Sequence, residues 1–184
     1  MKASVFIATS LDGYIARENG ELDWLPGADG KPIEGLDEND DLGFDTYMNA
    51  VDVLVMGRNT FEAALTFASW PYVNMPVVVL SSNLSRLPAD IPESVSLRNA
   101  SPEALVQELE TTGYKHAYID GGKTIQRFLA ARLIDEMCIT TIPVLLGSGI
   151  PLFGELNRDI QLKLADAKSF ANGMVQTTYR VVRN

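Results

Sequence analysis

Short runs of β-branched and aliphatic residues alternate along the chain with stretches whose apolar residues recur at helical spacing, the pattern of an α/β fold. Residues 3–9 (ASVFIAT) predict a buried strand, and Ser10-Leu11-Asp12-Gly13 predicts the turn that ends it. Residues 20–41 are rich in glycine, proline and acid and read as a long surface loop. Loops of that length within a compact domain are often functional. A helix is predicted over residues 42–50, burying Leu42 and Tyr47 with Phe44 and Met48. A strand over 51–56 (VDVLVM), a helix over 59–68 and a strand over 77–80 (VVVL) follow.

The alternation continues in the second half. Ser101-Pro102-Glu103 provides a hydroxyl N-cap, a first-turn proline and an acid at the positive end of the helix dipole. The helix it opens runs to Thr112 and stops at Gly113. A strand over 117–119, a helix over 124–131 and a strand over 136–142 (EMCITTI) come next. Alternating segments at 161–165 and 174–182 predict a closing antiparallel pair. No linker of changed composition interrupts the chain, so residues 1–184 read as a single domain.

Composition narrows the function. The 184 residues are 46% hydrophobic and 21% charged, enough for one soluble domain with a sizeable core. Fifteen basic against twenty-four acidic residues leave a net charge of −9 and a pI near 4.6. Bulk charge therefore attracts neither nucleic acid nor an anionic membrane, and any phosphate-bearing ligand must be gripped by a few aimed donors. One cysteine, Cys138, precludes an internal disulfide, and with one histidine, His116, it leaves no Cys/His zinc set. The opening MKASVFIATSLDGYIA has one basic residue and a short apolar run, unlike a secretory signal or a membrane span. A cytoplasmic, reducing location is expected.

Two glycine sites follow predicted strands and precede predicted helices: Met56-Gly57-Arg58-Asn59-Thr60 and Asp120-Gly121-Gly122-Lys123-Thr124. Glycine lets main chain approach a ligand closely, and the helix start behind it offers amides to a phosphate. Arg58 and Lys123 add cationic donors, so two such sites in one sheet suit a dinucleotide pyrophosphate. A glycine after a strand is most often only a plain turn. Neither standard nucleotide motif is present: a P-loop ending at Gly122-Lys123-Thr124 would need glycine where Ala117 stands. The Rossmann pattern begun by Gly147-Ser148-Gly149 fails at Leu152.

The ordered series Ala8, Asp12-Gly13-Tyr14-Ile15-Ala16, Val55-Met56-Gly57-Arg58-Asn59-Thr60-Phe61-Glu62, Leu80-Ser81-Ser82 and Ile119-Asp120-Gly121-Gly122 resembles the dihydrofolate reductase-like superfamily. Ile134-Asp135-Glu136, then Ile142-Pro143-Val144-Leu145-Leu146-Gly147-Ser148-Gly149 and Pro151-Leu152-Phe153, resemble its riboflavin-biosynthesis reductase branch. The resemblance implies a mixed, mostly parallel sheet of about eight strands flanked by helices, with NADPH as cofactor. It implies that Ala8 and Ile15 line the nicotinamide end. Gly57, Arg58, Asn59 and Thr60 would meet the adenosine phosphates, and Leu80, Ser81 and Ser82 the adenine-ribose side. Gly121, Gly122, Lys123, Thr124 and Ile125 would wrap the pyrophosphate, with a cis peptide between the two glycines.

The same resemblance places Asp41 at the substrate-binding acid, Leu42 on an apolar substrate wall, and Thr140 as the threonine that hydrogen-bonds the acid. Asp45, one helical turn on, is the competing acid; otherwise these carboxylates are solvated loop or helix-start residues. Where dihydrofolate reductases carry an arginine for folate's glutamate, this chain has Met75, which argues against folate. The riboflavin branch's Asp-Asn-Pro stretch is also missing, replaced by Ala64-Leu65-Thr66-Phe67-Ala68-Ser69-Trp70-Pro71. Trp24, Phe44, Phe67, Trp70 and Tyr72 form either a stacking substrate mouth or core and interface. His116 is expected to abut a strand, and Cys138 to be a small core residue. The acidic run 37–41 lacks the spaced ligands of a calcium loop, so no metal is expected.

The expected protein is thus an NADPH-dependent reductase of a small heterocycle or conjugated C=N or C=O compound, probing no nucleic acid or membrane. The alternatives are the riboflavin-pathway 5-amino-6-(5-phosphoribosylamino)uracil reductase and a non-catalytic nucleotide-binding module. The apolar stretch 142–153 and the resemblance suggest a homodimer.

Overall fold

The apolar strand segments lie side by side, and helices connect several of them. It runs through β1 (Lys2–Ser10), β2 (Tyr14–Ala16), α1 (Phe44–Ala50), β3 (Val53–Gly57), α2 (Arg58–Ala64), β4 (Val77–Leu80) and β5 (Val95–Arg98). It then forms α3 (Pro102–Thr112), β6 (His116–Asp120), α4 (Gly122–Ala130), β7 (Glu136–Ile142), β8 (Ile150–Pro151), β9 (Leu162–Ser169) and β10 (Val175–Val181). The computed structural model describes residues 1–27, 31–36, 41–67 and 69–183. Residues 37–40 of the acidic run, 28–30 of the predicted loop and the Ala68 end of the second predicted helix lie outside them.

Among the described residues, eight strands form one sheet in the order β5-β4-β3-β6-β1-β7-β10-β9, and β2 pairs with β8 apart from it. Neighbours from β5 to β7 are parallel, while β10 runs antiparallel to both β7 and β9. Val53, Leu54, Val55 and Met56 of β3 are all 0% exposed, the mark of a strand covered on both faces. On the first face Val53, Val55, Ala117 and Ile119 meet Leu105 and Leu109 of α3 and Ile125, Phe128 and Leu129 of α4. On the second face Leu54, Met56, Val77, Val79 and Tyr118 meet Phe61 of α2, with Phe44, Tyr47 and Met48 of α1 packed alongside. This is the three-layer, mostly parallel α/β architecture that the resemblance implies.

Most element boundaries agree with the sequence, and the exceptions have local causes. α1 starts at Phe44, because Leu42 (φ 59°) and Gly43 (φ 82°) are both left-handed and break the helical path. α2 ends at Ala64: Thr66 turns its amide and hydroxyl back onto the Ala63 carbonyl and closes the last turn. α4 begins at Gly122, two residues early, because the reversal is completed by Gly121 alone. The short β5, with Ser96 and Arg98 in it, has no apolar run to betray it. The closing pair exists, but β9 is exposed along its whole length, since no helix among the described residues covers that end of the sheet. The expected cis peptide is absent: none occurs among the described residues, and Gly121 and Gly122 are joined in trans.

Candidate active site

β3 and β6 are neighbours in register, with Met56 beside Asp120, so the two glycine bends emerge next to each other at the carboxyl ends of adjacent strands. Each is closed by a side chain from the other. A Cβ on Gly57 would lie 2.8 Å from Thr124 Oγ1, and one on Gly121 would lie 2.2 Å from Thr60 Oγ1. Gly121 is also left-handed, at φ 88°. Each glycine thus makes room for a threonine of the other bend, and the first turns of α2 and α4 open beside each other with amides that have no intrahelical partner. These residues form a cradle of the kind a nucleotide pyrophosphate fits.

The other residues expected at the cofactor divide. Arg58 is about half exposed and pairs with Glu62 at 3.8 Å, one helical turn on. Asn59 and Lys123 are exposed on their helices, and Thr60 is half-buried. Leu80 ends β4 in the core, and Ser81 Oγ accepts the amides of Asn83 and Leu84, shaping the turn beside the first bend. Exposed Ser82 donates to Asn83 Oδ1. Gly122 is packed by protein: a Cβ there would meet Ile15 Cδ1 at 2.9 Å and the Pro151 carbonyl at 3.3 Å. Thr124 is buried, and Ile125 is 0% exposed in the first-face core, so Ile125 anchors the helix and presents no side chain to a ligand.

Ile15 reaches Gly122 because the β1–β2 turn is held to the segment after β7. Asp12 accepts Ser10 Oγ at 2.6 Å, the Gly147 amide at 2.8 Å and the Leu146 amide at 3.1 Å. The Ser10 hydroxyl and these amides keep its carboxyl below the ordinary range. Gly149 fits beneath this turn, where a Cβ would strike the Ala16 carbonyl at 2.4 Å.

The period of two along each strand brings Ala8, Asp120, Thr140 and Gln176 to the second face, at the carboxyl ends of β1, β6 and β7 and the amino end of the antiparallel β10. Buried Thr140 lies beside Ala8. Its hydroxyl does not bond Asp41. Gln176 Nε2 donates both to Thr140 Oγ1 and to the Leu42 carbonyl, each at 3.0 Å. The exposed Asp41 carboxylate instead takes the Gly43 amide at 2.9 Å and the Asp45 amide, capping α1, and those amides lower its pKa. Asp45 is exposed on the first turn of α1.

Asp120 is the acid that sequence reasoning passed over. Its Oδ1 accepts the Gly121 amide at 2.8 Å, and Oδ2 meets no donor among the described residues. Burial pushes its carboxyl up to about 6, against the pull of that amide. Tyr72 and Tyr118, themselves raised first by burial, lie close enough for the Asp120 charge to raise them further. The available signal was an acid ending an otherwise apolar strand just before two glycines. Gln176 gave no signal, since it sits in an ordinary alternating strand.

The aromatic candidates divide as well. Phe44 packs on Phe6 at 5.5 Å between ring centres, and Trp70 meets both Phe61 and Tyr72 edge-on. These three belong to the second-face core, and the Trp70 indole N–H is buried without an acceptor among the described residues. Phe67 is 58% exposed, and Trp24 lines a surface hollow of about 510 Å³ formed by residues 21–27. Met75 packs on the second-face core. His116 opens β6 with its ring between Ser4 Oγ and the Ala50 carbonyl, and burial lowers its pKa. Cys138 is half-buried on β7, opposite Thr178.

The profile of the RibD C-terminal domain family matches residues 2–176. A protein of Shewanella sp. PV-4, assigned provisionally to riboflavin biosynthesis, has a crystal structure that superposes with a TM-score of 0.90, at 44% identity over 100% of both chains. The Bacillus subtilis protein YwjB, which is uncharacterized, is 34% identical over 175 residues, 94% of each chain. Acinetobacter baumannii RibD shares the fold at a TM-score of 0.73 and 19% identity, with 98% of this chain covering 58% of that one. Among the described residues no helix is long and apolar enough to cross a membrane.

Proposed function

The chain belongs to the RibD C-terminal domain family, and from that premise we propose that it is an NADPH-dependent reductase of a small heterocyclic or conjugated C=N or C=O substrate other than folate. One observation carries the reading: two glycine bends stand side by side at the ends of β3 and β6, each opening a helix. Gly57, Arg58, Asn59 and Thr60 hold the adenosine phosphates, with Arg58 exchanging Glu62 for the 2′-phosphate. Leu80, Ser81 and Ser82 support the adenine-ribose side. Gly121, Gly122, Lys123 and Thr124 surround the pyrophosphate, and Ala8 and Ile15 flank the nicotinamide end. When bound, NADPH supplies the hydride.

The chain supplies the proton, and Asp120 is better suited to that than Asp41. Main-chain amides stabilise the charged form of Asp41, whereas Asp120 keeps a proton to about pH 6 and leaves Oδ2 open. The raised pKa keeps part of the Asp120 population protonated towards neutral pH, and a polyanion bound beside it raises that share. Thr140 and Gln176 orient the substrate on the same face.

Titrating the purified protein with NADPH tests the proposal: a saturable fluorescence change is expected, and none at millimolar cofactor overturns it. Arg58→Ala should weaken NADPH about tenfold, or ~1.4 kcal/mol, and NADH by less than about twofold. Equal weakening would show that Arg58 does not read the 2′-phosphate. The family match favours a second reading, the riboflavin-pathway 5-amino-6-(5-phosphoribosylamino)uracil reductase, which turnover of that compound would establish. Cofactor binding without hydride transfer to any of a broad panel would instead favour a nucleotide-binding module. The free thiol of Cys138 suits a reducing, cytoplasmic setting.

A further inference from the structure

We infer that Gln126 is a positioning residue: it locks the helix at the pyrophosphate end of the site to the turn at the nicotinamide end, and so fixes the span that an intact dinucleotide must match. This rests on the reductase reading and deepens it at the same site.

The turn between β1 and β2 and the segment after β7 form one hydrogen-bonded unit. Asp12 accepts the Leu146 and Gly147 amides, the Leu11 amide donates to the Val144 carbonyl at 2.8 Å, and the Leu152 amide donates to the Gly13 carbonyl at 3.0 Å. β2 pairs with β8, with Tyr14 beside Pro151 and Ala16 beside Ile150. Ile15, at the nicotinamide end, is carried on this unit. Gly121, Gly122, Lys123 and Thr124, at the pyrophosphate end, belong to the bend after β6 and to α4. A coenzyme bridges the two parts, so their separation decides whether both of its ends are met at once.

One face of α4 carries the joint. Gly122 and Gln126 stand four residues apart and lie one above the other on that face. At Gly122 the missing side chain lets the unit come close: a Cβ there would also stand 3.6 Å from Ile150 Cγ2. One turn further on, Gln126 Nε2 donates to the Pro151 carbonyl at 2.9 Å and to the Leu152 carbonyl at 3.3 Å. Its carboxamide packs against the main chain at Gly154, where a Cβ would lie 2.9 Å from both Cδ and Oε1.

These contacts have different roles. Ile15 and Ile150 touch Gly122 through apolar atoms, which limit how near the unit can come but set no register along the helix. Hydrogen bonds from one amide nitrogen to two successive carbonyls are directional and do set it. Among the described residues, Gln126 is the α4 residue that hydrogen-bonds the unit. Its anchor is firm, because buried Leu152 shares the first-face core with Ile125.

The test uses the full chain and Gln126→Met, which keeps the length and helix preference of the side chain and removes its donor. Two probes are titrated into each protein: NADPH, and 2′-phospho-ADP-ribose, the same dinucleotide without its nicotinamide ring. The variant is expected to lose about fivefold or more in affinity for NADPH and less than about twofold for the fragment. Equal weakening of the two, or no weakening, overturns the inference. Amide exchange of the free protein reads the same joint without coenzyme. Gln126→Met should speed exchange at the Leu152 amide about tenfold or more while β3 stays protected; unchanged exchange at Leu152 overturns the inference as well. If the parent binds neither probe, the reductase reading fails, and exchange at Leu152 alone decides whether Gln126 holds the unit in place.

Discussion

Asp120 concentrates the chemistry of the chain in one side chain, and its raised pKa has opposite effects on activity and stability. A proton donor works only while protonated, so kcat/KM should fall as pH rises through about 6, and Asp120→Asn should abolish that limb. Stability follows from the same shift. An unfolded aspartate titrates near 3.8, so between there and about 6 the folded chain binds the extra proton, and stability falls as pH rises across that window. Asp120→Asn should therefore raise Tm relative to the parent above pH 7, by roughly 1–3 kcal/mol of stability, and the gain should vanish below pH 4. Thermal melts at pH 4, 6 and 8 check both sign and window. The sequence displayed Asp120 but gave no reason to select it. An acid's role depends on burial and on which donors reach it, and those come from distant parts of the chain. Asp41 shows the converse, since spacing singled it out and its local amides make it a poor proton donor.

At the scale of elements, local signals were read well and contacts between elements were not. α3 has the cap that Ser101 promised, with Ala104 N donating to Ser101 Oγ, and it stops at a left-handed Gly113. Ser101→Ala should cost about 1 kcal/mol in denaturant midpoint measurements without touching cofactor affinity. The two bends behave differently, because they depend on each other. Gly121→Ala combines a left-handed backbone with a 2.2 Å clash against Thr60 Oγ1 and should cost several kcal/mol. Adding Thr60→Ala should restore only the part due to the clash. Gly57→Ala, at an extended φ of −82°, should be rescued nearly in full by Thr124→Ala. Urea melts of the single and double variants separate backbone strain from crowding. The motifs themselves were plain in the sequence, but the exchange of threonines across them follows from β3 and β6 being neighbours.

At the scale of the whole molecule, the sheet is well covered in the middle and bare at one end. The stretch 142–153, taken from sequence as a self-association surface, is mixed: Ile142 and Leu152 are core residues, whereas Leu145 and Phe153 are exposed. Leu162 and Leu164 on the β9 edge, and Val175 on β10, add apolar surface that nothing among the described residues covers. An open, partly apolar edge strand invites pairing with another chain. We expect a homodimer, with a light-scattering mass about twice 20.1 kDa, and expect Leu164→Lys to return it toward the monomer.

The threonines that cross between the bends also limit how this protein can change over time. Thr60 fills the space left by Gly121 and Thr124 the space left by Gly57, so neither turn keeps its shape if the other is replaced. A chimera grafting one turn from a distant relative would carry half of a matched set, and would fold poorly even if every grafted residue were sound in its parent. Descent should therefore preserve the two segments as a unit, although some sixty positions of chain separate them.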